Sequence, residues 1–219
     1  MKKWIIAVLV ISVIAIVGCG KEESDEGGGG SGATISNPFP MGVGNWWAYM
    51  EYETTTKPDT THDTTKIIGT ADVNGKHTYV MINTENPNDT SYLYEENGYI
   101  HELYYSREMG RWIDFKLLKT PLSVGDRWTV HSESDSNTSF TQTAEAVGSE
   151  NVTVPAGTFS GALLVKYTTV TSFSYGGHTY ADTSYNYVHF ADNIGAVKMR
   201  GTEEPSGWQV SELEGYNVH

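Results

Sequence analysis

A motif occurs twice in this chain at a fixed spacing, and it limits the fold more than any other feature. Pro40-Met41-Gly42-Val43-Gly44-Asn45-Trp46-Trp47 is matched 81 positions later by Pro121-Leu122-Ser123-Val124-Gly125-Asp126-Arg127-Trp128. Pro, Val, Gly and the second Trp are identical, and Met/Leu and Asn/Asp are close exchanges. Glycine permits the turn, Asn or Asp hydrogen-bonds its own backbone, and Trp opens a strand as a large apolar anchor. The register continues beyond the motif. Val73-Asn74-Gly75 stands opposite Pro155-Ala156-Gly157 at an offset of 82, and Asn97-Gly98 opposite Asn193-Ile194-Gly195 at a wider one. The extra residues are assigned to a longer hairpin about Gly176-Gly177. Two copies are too few for a solenoid or propeller, which needs at least three, so they are read as halves of one sheet, residues 38–119 and 120–219.

The pattern between the turn signals is that of strands. From Pro38 onward the helical period is absent, and runs rich in Thr, Tyr, Val and Ile alternate with Gly, Asn, Asp and Pro. Strands are expected over 46–53, 78–83, 91–95, 99–105, 112–118, 127–132, 140–147, 162–173, 179–190, 196–200 and 208–213. Residues 116–119 are the one segment compatible with a short helix, and His62-Asp63 is read as lying in a Thr-rich loop. The expected fold is all-β: a duplicated antiparallel β-meander forming a curved open sheet or half-barrel, preceded by a signal helix. Because Trp128 occupies the place of Trp47, the alignment selects Trp47 as the core-facing residue; Trp46 aligns with Arg127 and is assigned to a wetter face.

The amino terminus carries an address. Lys2 and Lys3 precede an apolar stretch, Trp4–Val17, that ends in Gly18-Cys19. A membrane-spanning helix needs ~20 apolar residues. This shorter stretch fits the h-region of a secretory signal, residues 1–18, cut between Gly18 and Cys19. Cys19 is the sole cysteine and stands where a bacterial lipobox places its acylated residue; its thiolate is the nucleophile that accepts the lipid. Residues 19–37 then form an acidic, glycine-rich tether with a reach of roughly 20–25 Å. The domain proper is 38–219. Gly20 after the cysteine points to the outer membrane by resemblance to enterobacterial sorting, with either a periplasmic or a surface-exposed face; Lys21-Glu22-Glu23 resembles a surface-export signal.

The net charge of −13 becomes −15 once Lys2 and Lys3 are removed. That repels phosphate backbones and argues against nucleic acid as a partner. It also leaves the lipid as the membrane attachment.

Pro121 to Trp128, Val152-Thr153-Val154-Pro155-Ala156-Gly157-Thr158-Phe159 and Phe190-Ala191-Asp192-Asn193-Ile194-Gly195-Ala196-Val197-Lys198 carry a resemblance. They look like bacterial lipoproteins in which a “VPAGTF” turn is followed by a “GxVK” hairpin. The resemblance implies an open, strongly curved antiparallel sheet similar to lipoprotein carriers of the LolA/LolB type.

Chemistry is sparse. The seven histidines lack metal-ligand spacing, the single cysteine is committed to lipid, and there is no Gly-x-Ser-x-Gly elbow. His62-Asp63 pairs an imidazole with a carboxylate in the Thr-rich segment, and Asp135-Ser136-Asn137 is a fragment of a calcium loop without its glycine and glutamate. No catalytic residue, metal or cofactor is called for, and the chain is read as non-catalytic. What remains is aromatic: fourteen Tyr, six Trp and six Phe. Candidate ligand-binding residues are Trp46, Tyr49, Tyr92, Tyr94, Tyr104 and Trp112, since aromatic rings offer wide faces with polar handles. The expected partner is the membrane, through Cys19, together with an apolar or amphipathic ligand or an envelope protein. The alternatives are a structural or protein-interaction lipoprotein and a glycan-binding surface module.

Overall fold

The computed structural model describes residues 32–54, 60–87, 90–107, 109–176, 178–203 and 207–219. The signal segment with its expected helix, Gly18 and Cys19 lie outside them. Among the described residues there is no α-helix.

Each half supplies six long strands. The first contributes β2 (Trp46–Glu53), β3 (Thr61–Val73), β4 (Lys76–Asn83), β5 (Thr90–Glu96), β6 (Tyr99–Ser106) and β7 (Arg111–Lys119). The second contributes β9 (Arg127–Ser134), β10 (Thr138–Val154), β11 (Gly157–Tyr175), β12 (His178–Ala191), β13 (Gly195–Glu203) and β14 (Gly207–Asn217). Two short strands, β1 (Thr34–Ile35) and β8 (Leu122–Ser123), pair with each other. The twelve long strands form one antiparallel sheet in the order β7-β6-β5-β4-β3-β2-β14-β13-β12-β11-β10-β9. The last strand of the second half thus pairs with the first strand of the first half, and the sheet curls until its edge strands β7 and β9 lie side by side. The expected curved sheet is a nearly closed barrel.

Two local expectations fail for identifiable reasons. Residues 116–119 continue β7 rather than starting a helix. A register shift between Ile100 and His101 lets consecutive Leu117 and Leu118 both be buried, which breaks the strand period in the sequence. Thr61–Val73 is a thirteen-residue strand, not a loop. Its inward positions begin with buried Asp63 and Thr65 before reaching Ile67, so no apolar alternation marks it.

One end of the barrel is capped by apolar packing. Trp47, fully buried, stacks on Phe39 with centroids 4.7 Å apart and donates its indole N–H to the Ile194 carbonyl at 2.6 Å. Gly195 makes this approach possible. Its φ is +112°, and a Cβ there would lie 3.1 Å from Trp47 Nε1 and 3.3 Å from the Phe39 ring. Ile35 and Leu122, from the β1–β8 pair, join the same core. The “VPAGTF” segment forms the tip of the β10–β11 hairpin. Register shifts at Ala146/Gly148 and Glu150/Val152 bend it so that it laps over β13 and β14, where the Ala156 N–H donates to the Leu213 carbonyl at 2.9 Å.

Candidate ligand-binding site

The inner face of the barrel changes character along its axis. At the capped end it is apolar, with Trp47, Leu163, Phe190 and Leu213 fully buried. Toward the end that carries the β2–β3, β4–β5 and β6–β7 connections, the same face becomes polar. Strand register places Glu51 beside Ser211, Thr65 beside Asn83, Leu93 beside Glu102, and Gln142 beside Thr169. Asp63 lies opposite Tyr49. Glu51, Asp63 and Glu102 are all buried.

Buried carboxylates are costly unless hydrogen-bonded. Ser211 Oγ donates to Glu51 at 3.1 Å, and Ser91 Oγ to Glu102 at 2.5 Å. Burial pushes the Glu51 pKa above its ordinary value; the bond from Ser211 lowers it, and the charge of Asp63 raises it further. Burial and then Asp63 likewise push the Tyr49 phenol up. Among the described residues no cluster of His, Cys, Asp and Glu has the geometry to hold a metal ion. The layer sets three buried carboxylates among buried hydroxyl and amide groups, which both donate and accept hydrogen bonds.

Beyond this layer, inner-face positions carry exposed aromatic rings. Tyr104, opposite buried Ile113, is 43% exposed. Phe173 and Tyr180 face each other across β11 and β12, stack at 4.9 Å and 18°, and are 43% and 51% exposed. Exposed rings at positions whose register faces the barrel interior have no packing role that demands them, and an apolar ligand surface is the chemistry they offer.

The six candidates read from the sequence do not converge. Tyr49 fills the core and donates its hydroxyl to the Ala196 carbonyl at 2.8 Å. Trp46 is on the opposite, partly exposed face of β2, against Gly215. Tyr104 is on the inner face of β6, opposite Ile113. Tyr92, Tyr94 and Trp112 do come together, on the outer face of β5–β7. Tyr92 meets Trp112 edge-on at 5.6 Å, and Tyr105 joins Trp112 at 5.3 Å. Beside them Tyr94 stacks on His101 at 4.8 Å and donates its hydroxyl to Asp114 at 2.5 Å, while His101 Nδ1 lies 2.9 Å from the same carboxylate. Partial burial pushes the Asp114 pKa up, but the bonds from His101 and Tyr94 outweigh it and hold the carboxyl below its ordinary range. The Tyr94 phenol is pushed up by burial and by that same carboxylate.

Sequence neighbours are also separated. His62 points outward to Glu214 at 3.0 Å while Asp63 points inward, as alternation along a strand requires. Within the β9–β10 turn Asp135 Oδ1 accepts from the N–H groups of Asn137 and Thr138 and Oδ2 from the Thr138 hydroxyl, which lowers its pKa. Sequence reasoning missed Glu51, Asp63, Glu102, Phe173 and Tyr180. The inward parity of the correctly placed strands β2 and β11 was the available signal for Glu51 and Phe173.

The chain matches no protein-family model and no curated protein. Two solved structures resemble it. One is a protein described as a lipoprotein from Parabacteroides distasonis ATCC 8503, at 19% identity and a TM-score of 0.51, covering 84% of this chain and 99% of that one. The other is a protein described as exported, with a YmcC-like fold, from Bacteroides fragilis NCTC 9343. It shows 14% identity and a TM-score of 0.46, with 84% of this chain and 100% of that one covered. The first likeness establishes a shared fold.

Proposed function

We propose that this chain is a lipid-anchored, non-catalytic protein of the bacterial cell envelope that binds an amphipathic ligand at the hairpin end of its barrel. The lipobox ending at Cys19 supports the anchor, and Gly20 supports placement in the outer membrane. A lipoprotein description for a protein of the same fold agrees with that address. The observation that carries the binding reading is the pairing of two surfaces: the exposed rings of Tyr104, Phe173 and Tyr180 beyond buried Glu51, Asp63 and Glu102. A ligand with an apolar body and a cationic or hydrogen-donating end satisfies both.

Two experiments test this. Metabolic labelling with palmitate should mark the wild-type chain and not Cys19→Ala, and the variant should leave the membrane fraction; a membrane-bound, unlabelled wild type would remove the anchor. Calorimetric titration below the micellar concentration should show saturable binding of dodecyltrimethylammonium and at least tenfold weaker binding of dodecyl sulfate. The double variant Phe173→Ala/Tyr180→Ala should lose the first at least tenfold while keeping its melting temperature within a few degrees. Equal binding of both headgroups, or an unaffected double variant, would contradict the site.

A further inference from the structure

Three side chains of the polar inner layer keep a hydrogen-bonding atom unused. Asn83 on β4 is 1% exposed, and its own turn fixes its orientation: Oδ1 accepts from the N–H groups of Glu85 at 2.8 Å and Asn86 at 3.1 Å. The other end, Nδ2, is then a donor, and it makes no hydrogen bond to any described residue. Thr65, the cross-strand partner of Asn83 on β3, is equally buried, and its hydroxyl also bonds no described residue. Gln142 on β10 lies six steps from β3 along the order of the twelve-strand sheet, on the opposite side of the barrel. It is fully buried; Nε2 donates to the Thr169 hydroxyl at 2.9 Å, and Oε1 is left without a partner among the described residues. All three occupy inner-face positions, since Asn83 shares its strand face with Met81, Thr65 with Ile67 and Gln142 with Ala144, each of which belongs to the core.

A buried polar atom left unbonded costs stability, so native folds bond nearly all of them. The demands of this layer are two-sided. The buried carboxylates of Glu51, Asp63 and Glu102 and the Gln142 carbonyl accept, Asn83 Nδ2 donates, and the Thr65 hydroxyl does either. A quaternary ammonium meets the carboxylates by charge alone and has nothing for Asn83 Nδ2 to donate to. A sulfate or ionised phosphate accepts from Asn83 but has no donor for Gln142, and the carboxylates repel it. A hydroxyl donates and accepts at one atom. Several hydroxyls on one small frame therefore match a layer in which donors and acceptors are interspersed.

We infer that the polar layer selects an amphipathic ligand whose headgroup is neutral and polyhydroxylated, a sugar or polyol, over one with a cationic or anionic headgroup. The hydroxyls accept from Asn83 Nδ2 and donate to Gln142 Oε1 and the carboxylates, while the apolar body lies toward Tyr104, Phe173 and Tyr180. This rests on the barrel-end reading and narrows its headgroup.

The test is calorimetric titration of the full chain in lipid nanodiscs, with empty nanodiscs as the blank, using probes that share a hexyl tail. They are hexyl glucoside, hexyltrimethylammonium and hexyl triethylene glycol methyl ether, which accepts hydrogen bonds but cannot donate. Hexyl glucoside is expected to bind roughly tenfold or more tightly than either of the others. Asn83→Asp keeps the oxygen that the turn uses and removes the donor. It should weaken hexyl glucoside by roughly tenfold and leave hexyltrimethylammonium as tight or tighter. Thr65→Val, of the same shape, should weaken hexyl glucoside about fivefold while the unliganded melting temperature holds or rises, because it deletes a buried hydroxyl that bonds no described residue. It keeps the inference testable even if Asn83→Asp does not fold. Hexyl glucoside no tighter than the other probes, or unchanged in a folded Asn83→Asp or in Thr65→Val, would overturn the inference. If all the probes then bind alike and Phe173→Ala/Tyr180→Ala still abolishes that binding, the barrel-end reading stands without it; binding of no probe overturns both.

Discussion

The two places where the halves of this barrel meet are built by different means. Where β14 joins β2, eight residue pairs from Gln209↔Glu53 to Asn217↔Trp46 form a main-chain ladder. Where β7 meets β9 the strands lie side by side without a ladder, and side chains span the gap. Trp128 Nε1 donates to the Lys116 carbonyl at 3.0 Å and the Tyr167 hydroxyl to the Leu117 carbonyl at 3.2 Å, while His131 Nδ1 lies 3.3 Å from the Asp114 carbonyl. Arg111 pairs with Glu133, and Lys119 with Asp126. Duplication alone would make the seams alike. One difference is covalent: the link from β7 to β9 is short and contains β8, which is committed to β1. Aromatic and basic side chains then satisfy edge carbonyls that a partner strand would otherwise take.

The largest expected effect distinguishes the two matched tryptophans. Trp47→Ala removes a fully buried ring, its stack on Phe39 and its bond to Ile194, and should cost about 3–5 kcal/mol in chemical denaturation. Trp128→Ala, at 7% exposure on the side-chain seam, should cost less and should speed amide exchange in β7 and β9 specifically. A larger loss from Trp128→Ala would reverse the ranking of the seams.

Gly195→Ala comes next, at about 1–3 kcal/mol, since it adds a Cβ against Trp47 and Phe39 at a positive φ. Gly125→Ala, with φ +91° and nothing within 4 Å, bears only the backbone strain and should cost less. Equal losses would mean that Gly195 is not there to admit Trp47.

Arg111→Ala should cost about 0–1 kcal/mol, because its bond to Glu133 is partly exposed and screened. A loss of several kcal/mol would make ion pairs, rather than Trp128 and Tyr167, the closure of that seam.

The smallest expected effect concerns pH. The Glu51 carboxyl titrates at about 4.5 when unfolded and higher when folded, so between those values the native state binds the extra proton. Stability contributed by this group therefore falls as pH rises through that window. Glu51→Gln cannot ionise, and its melting temperature should drop less than the parent's between pH 4.5 and 8. An identical pH profile would mean that the inner layer does not perturb Glu51.

Much of the frame was legible in the chain because turns write their chemistry locally. The repeat identified the two halves, and Trp46–Glu53 was delimited by its motif. Trp47 was assigned inward because Trp128 occupies the same place. The rest depended on partners far away in sequence. β3 was hidden because its inner face presents Asp63 and Thr65 to other polar groups. Glu51 and Glu102 look like solvated charges until strand pairing encloses them. Phe173 and Tyr180 lie within the longer second-half hairpin, where the strand pattern does not distinguish them from ordinary strand residues.

The barrel has one laddered seam and one seam closed by side chains. Native-state hydrogen exchange followed amide by amide tests it most directly. Amides paired between β14 and β2 are expected to exchange only through global unfolding, and amides of β7 and β9 facing each other orders of magnitude faster. Equal protection at both seams would contradict it.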